Sequence, residues 1–102
     1  MVNTITSTEL IEKLANGENI TVIDVRTPEE VAEGKIIGAV NINIFDADFA
    51  DRIGGYDKSI TYAMVCRSGA RSGQACMHME SMGFENISNV EGGMMAWVGE
   101  VE

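Results

Sequence analysis

Apolar positions fall into two periods along this chain, and the switches between them divide it into alternating helices and strands. Leu10, Ile11 and Leu14 form a stripe at helical spacing. It is opened by Thr6-Ser7-Thr8-Glu9, the order of a capping box in which Thr6 caps and Glu9 reaches back. Gly17 stands where a C-terminal cap belongs. The β-branched run Ile20-Thr21-Val22-Ile23-Asp24-Val25 predicts a buried strand. Thr27-Pro28-Glu29-Glu30 is a second capping box, with proline at the first helical position and Gly34 as the stop. Residues 39–42 predict a short strand, and residues 46–53 a weaker helix ended by Gly54-Gly55. Residues 59–65 then read as a strand that runs into Cys66, 67–71 as a tight loop, and 72–82 as a helix. Ala75, Cys76, Met79 and Met82 share one face of that helix. Residues 87–90 predict a last strand and 94–101 a closing helix. The alternation implies an α/β fold, a mostly parallel central sheet with helices on both faces. Ligands of such sheets bind beyond the carboxyl ends of the strands, and Cys66 stands at that edge.

Composition narrows the chemistry. With 102 residues the chain is expected to form one domain, and 45% hydrophobic residues supply its core without disulfides. Seven basic against 16 acidic residues give a net charge of -9. Such a surface repels phosphate backbones and anionic lipid, so neither nucleic acid nor a membrane is expected as a partner. No apolar run approaches the ~20 residues of a membrane helix. The start of the chain shows no basic segment followed by an apolar one, hence no signal peptide is expected. With only two cysteines, Cys66 and Cys76, free thiols in a reducing cytoplasm are the expectation. A structural zinc site takes about four ligands, while His78 and the two cysteines make three. No metal is expected.

The segment Val65-Cys66-Arg67-Ser68-Gly69-Ala70-Arg71-Ser72 carries the chemistry. A thiol at a strand-loop-helix turn faces loop amides and the positive end of the next helix, and both favour the thiolate. Gly69 lets the backbone curl so that several amides converge on one anion. In so acidic a chain, Arg67 and Arg71 beside a cysteine point to an anionic ligand. The plainer alternative, a buried inert cysteine with solvated arginines, does not account for the coincidence of these features.

This loop resembles the active-site loop of rhodanese-type sulfurtransferases, and the likeness extends along nearly the whole chain. Asp24-Val25-Arg26-Thr27-Pro28-Glu29-Glu30 is similar to that family's first signature, and Gly38-Ala39-Val40-Asn41-Ile42 to the segment after it. Gly83-Phe84 and Val90-Glu91-Gly92-Gly93-Met94-Met95-Ala96-Trp97 look like its closing signature. The resemblance implies a three-layer rhodanese-like fold and a Cys66 nucleophile that carries sulfane sulfur as a persulfide, with no further cofactor. It implies that amides from Arg67, Ser68, Gly69, Ala70, Arg71 and Ser72 cradle the terminal sulfur. Arg67 and Arg71 would hold an anionic donor such as thiosulfate, and the acceptor would be cyanide in an assay and a thiol, small or on a protein, in the cell. Two departures concern packing: Lys35-Ile36-Ile37 replaces a common His-Ile-Pro, and Met94-Met95 stands where a bulkier residue is often found. Related phosphatases space cysteine and arginine by five residues; here four separate Cys66 from Arg71, which favours sulfur over phosphate or arsenate chemistry. A partner-binding module that kept only the fold would be expected to lose the cysteine or the arginines.

Outside the loop, Cys76 reads as core rather than as a resolving thiol, and His78 as a surface residue. Met64, Met79 and Met82 fit the core, and Trp97 a core anchor. Asp24 and Arg26 end a strand on the loop's edge, where two readings stand open. They could order the active-site arginines through a carboxylate-guanidinium pair, or Arg26 could simply pair with Glu29 or Glu30.

Overall fold

The computed structural model describes residues 2–102. Its elements are β1 (Asn3–Ile5), α1 (Ser7–Ala15), β2 (Ile20–Asp24), α2 (Pro28–Ala32), β3 (Val40–Asn41), α3 (Phe49–Gly54), β4 (Thr61–Val65), α4 (Ala70–Ser81) and β5 (Asn86–Val90). A 3-10 turn, Gly93–Ala96, follows. The five strands form one sheet in the order β1-β5-β4-β2-β3, and every pairing is parallel.

Strand alternation sorts side chains onto the two faces. Along β4, Tyr62 and Met64, continued by Cys66, join a cluster with Phe49 and Ile53 of α3 and Ala75, Cys76 and Met79 of α4. Ala63 and Val65 join the opposite cluster with Leu10 of α1, Ile36 and Val90. The sheet therefore has helices on both faces, as the alternation of elements predicts. Cys66 is the next residue of the Tyr62 face after the strand ends, so the pleat itself directs its side chain toward α4.

Both capping boxes form. Glu9 Oε1 accepts from the Thr6 amide at 2.8 Å, and Glu30 Oε1 from the Thr27 amide at 3.2 Å. Helix α3 starts at Phe49 rather than Asp46 and takes in Gly54, and three further elements depart from the sequence reading. β1 was not predicted, because three residues with one buried position carry no alternation; it is held by its pairing with β5 and by the burial of Ile5. Helix α4 begins at Ala70 instead of Ser72, since Gly69 at φ +107° starts the helix itself. The closing helix is one 3-10 turn, after which Trp97 is extended. A Cβ on Gly99 would lie 2.7 Å from the Trp97 ring, so the ring folds back over the glycine where a helix would have continued. Trp97 is half-buried against the α1-side cluster. Met64 and Met79 are buried, and Met82 packs at the edge of the α4-side cluster.

Candidate active site

Cys66 leaves β4 at the carboxyl edge of the sheet, and its sulfur lies against the first turn of α4. It is only 1% exposed. The Gly69 amide donates to its Sγ at 3.0 Å, and the Ser72 hydroxyl oxygen lies 3.3 Å away. Burial pushes the thiol up. The hydroxyl and amide of Ser72 and the amides of Gly69 and Ser68 outweigh that, leaving Cys66 below the ordinary cysteine range. Loop amides, expected to favour the thiolate, do so here, and the Ser72 hydroxyl joins them.

The arginines differ from one another. Arg67 is exposed, as are Ser68 and Ala70. Arg71 is half-buried and bound on both arms by Glu30, Nη1 to Oε1 at 2.7 Å and Nη2 to Oε2 at 2.8 Å. Hydrogen bonding to Arg71 brings Glu30 down to about 2, and the carboxylate raises Arg71 above its ordinary value. Of the two arginines expected to hold an anionic donor, Arg71 is thus already paired with a carboxylate. Glu30 entered the sequence reading as a helix cap and as a possible partner of Arg26, not of Arg71.

Asp24 and Arg26 form a buried, bidentate pair. Arg26 Nε lies 2.9 and 3.0 Å from the two carboxylate oxygens, and Nη2 lies 2.7 Å from Oδ2. The same guanidinium reaches the carbonyl oxygens of Gly34 and Glu30. Of the two readings, the carboxylate-guanidinium pair forms, and Arg26 pairs with neither Glu29 nor the Glu30 carboxylate. Arg71, though, is ordered by Glu30, so the Asp24 pair fixes Arg26 alone and pins the chain between β2 and α2.

Two supports were absent from the sequence reading. Asn89 of β5 has its Oδ1 2.6 Å from the Ser72 hydroxyl and donates from Nδ2 to the Gly69 carbonyl at 3.0 Å. It ties the loop to the neighbouring strand through one side chain, and a polar residue inside a strand was its sole signal. The 3-10 turn closes the other side, with the Met94 amide donating to the Cys66 carbonyl at 2.8 Å and Met95 to that of Arg67 at 3.0 Å. Gly93 permits this approach: at φ +55°, a Cβ there would meet the Arg67 carbonyl oxygen at 2.6 Å. Arg26, Glu30, Glu33, Arg67, Met94 and Met95 line a cavity of about 350 Å³ beside the loop.

Cys76 is fully buried in α4. Burial, with the charges of Cys66 and Glu80 adding to it, pushes it up to about 12. The two thiols are thus oppositely tuned, and neither is in a disulfide. His78 is exposed, 6.5 Å from the Phe49 ring. Among the described residues no group of three His, Cys, Asp or Glu side chains could hold a metal ion. No helix among them is long and apolar enough to cross a membrane.

The model of the rhodanese-like domain family matches residues 6–100. The chain belongs to that family. Rhodanese-like relatives include "Putative sulfurtransferase YtwF" of Bacillus subtilis (strain 168), 43% identical over 99% of this chain and 95% of its own length. "Sulfurtransferase" of Allochromatium vinosum is 37% identical over 95% of this chain and 89% of its own. The crystal structure of a rhodanese-like domain protein from Staphylococcus aureus superposes with a TM-score of 0.88 at 36% identity, covering 99% of this chain and 97% of that one. These names support sulfur transfer as the general chemistry of this rhodanese-like chain.

Proposed function

We propose that this protein moves sulfane sulfur from an anionic donor to a nucleophilic acceptor through a persulfide on Cys66. The observation that carries the reading is a buried thiol held by the Gly69 amide and the Ser72 hydroxyl and lowered by them. In the donor half-reaction the Cys66 thiolate attacks the outer sulfur of thiosulfate. The new Cys66–S bond forms as the donor's S–S bond breaks, and sulfite leaves with the electron pair. In the acceptor half-reaction cyanide attacks the outer sulfur, thiocyanate departs, and the Cys66 thiolate returns. A cellular thiol, free or on a protein, accepts in the same way and becomes a persulfide.

Each half-reaction balances without an added oxidant or cofactor, and this chemistry suits a reducing compartment such as the cytoplasm. Amides from Arg67 to Ser72 would hold the terminal sulfur anion, extending a contact that Gly69 already makes. Arg67 would meet the donor at the mouth, and Arg71 would contribute the N–H groups that Glu30 leaves to it. Initial rates with thiosulfate and cyanide varied together test the scheme. Parallel double-reciprocal lines, abolished in Cys66→Ser, are expected; intersecting lines, or turnover surviving in Cys66→Ser, would exclude a persulfide cycle.

A further inference from the structure

A close ion pair at the site works against a thiosulfate clamp. Glu30 grips both arms of Arg71, and it is itself fixed in place as the third residue of the α2 capping box, held by the Thr27 amide and hydroxyl. A donor that uses Arg71 must therefore compete with a carboxylate whose position costs nothing further to hold. Glu33 adds a second acid to the same cavity. Apolar surface stands beside this pair. The Phe45 ring, 69% exposed, lies 5.8 Å from the Arg71 guanidinium, and Met95, 71% exposed, lines the cavity. Paired charge with exposed apolar flanks suits a donor with less charge and more carbon than thiosulfate.

We propose that Glu30 is a specificity-determining positioning residue, which holds Arg71 and so turns the site away from small dianionic sulfur donors and toward monoanionic organic ones. The proposal rests on the persulfide reading above and adds the class of donor. Glu30→Gln is the fitting perturbation, because glutamine preserves a capping box while removing the charge. Benzenethiosulfonate, a monoanion with an aromatic arm, is the probe to set against thiosulfate. In Glu30→Gln the KM for thiosulfate should fall about tenfold, the worth of one charge-assisted contact regained. The KM for benzenethiosulfonate should fall by no more than about threefold, and kcat should stay close to wild type with both. Glu29→Gln makes the same charge change at an exposed neighbour and should move neither KM by as much as about twofold.

In an Arg71→Ala background, Glu30→Gln should lose its effect, since it acts through that guanidinium. An unchanged or raised thiosulfate KM in Glu30→Gln would overturn the proposal while leaving the persulfide cycle standing. So would an equal fall in Glu29→Gln or in the Arg71→Ala background. Absence of any sulfur adduct on the wild-type protein with either donor would overturn both.

Discussion

Replacing Ser72 by alanine removes the hydroxyl that lies 3.3 Å from the Cys66 sulfur and keeps the helix, whose first turn readily takes alanine. A hydrogen bond to a charged group contributes roughly 1.5–3 kcal/mol, and each pKa unit corresponds to about 1.4 kcal/mol. The full loss would thus raise Cys66 by about one to two units. Ser72 has a single hydroxyl proton, and Asn89 Oδ1 competes for it at 2.6 Å. The lower end, about one unit, is therefore expected, with the Ser72, Gly69 and Ser68 amides still holding the thiolate down. The sign extends to stability. A thiol lowered by folding stabilises the native state above its unfolded value, and that gain is lost as pH falls through the folded value. Ser72→Ala should narrow this window. Thiolate absorbance followed against pH reads the shift directly, with Cys66→Ser as the blank, and Cys76, pushed up to about 12, contributes little below pH 10 or so. A midpoint that moves by less than about 0.3 units, or moves down, would refute the assignment of the lowering to these donors.

Other perturbations have equally definite outcomes. Arg26→Ala strands the Asp24 carboxylate, which is 0% exposed, and should cost about 3–5 kcal/mol in urea unfolding; a loss under about 1 kcal/mol would show that solvent reaches the pair. Cys76→Ser puts a hydroxyl into the α4-side core and should cost about 1–3 kcal/mol while sulfur transfer by the folded protein is kept. Loss of turnover in a Cys76→Ser protein that still melts cooperatively would replace the single-thiol cycle with a two-thiol relay. Gly93→Ala forces a Cβ against the Cys66–Arg67 carbonyls and should lower both the melting temperature and kcat, by about 1–3 kcal/mol in stability. Unchanged values for both would mean that the 3-10 turn does not brace the loop.

Local signals in the sequence were strong where one segment suffices to define an element. The two capping boxes and the β-branched run of β2 each depend on residues within a few positions, and each forms as read. Cys66 at the carboxyl edge of β4 follows from the same local logic, and so does the burial of Cys76. What escaped the sequence reading is long-range. β1 exists through pairing with a strand more than 80 residues away. Glu30 meets Arg71 across 41 residues, and Asn89 meets Ser72 across 17. A capping glutamate has one explanation already, which hides the second role its carboxylate takes. In place of the closing helix the chain turns extended at Trp97 and its ring packs over Gly99, a placement that helical periodicity does not register.

Persulfide formation at Cys66 is tested most directly by intact-mass spectrometry of the protein after incubation with thiosulfate, before and after cyanide. Sulfur transfer through one thiol predicts a gain of one sulfur atom, located on the peptide that contains Cys66, removed by cyanide with release of thiocyanate, and absent in Cys66→Ser. An adduct that persists in Cys66→Ser, or no adduct on the wild-type protein with thiosulfate or with an organic persulfide, would contradict the account.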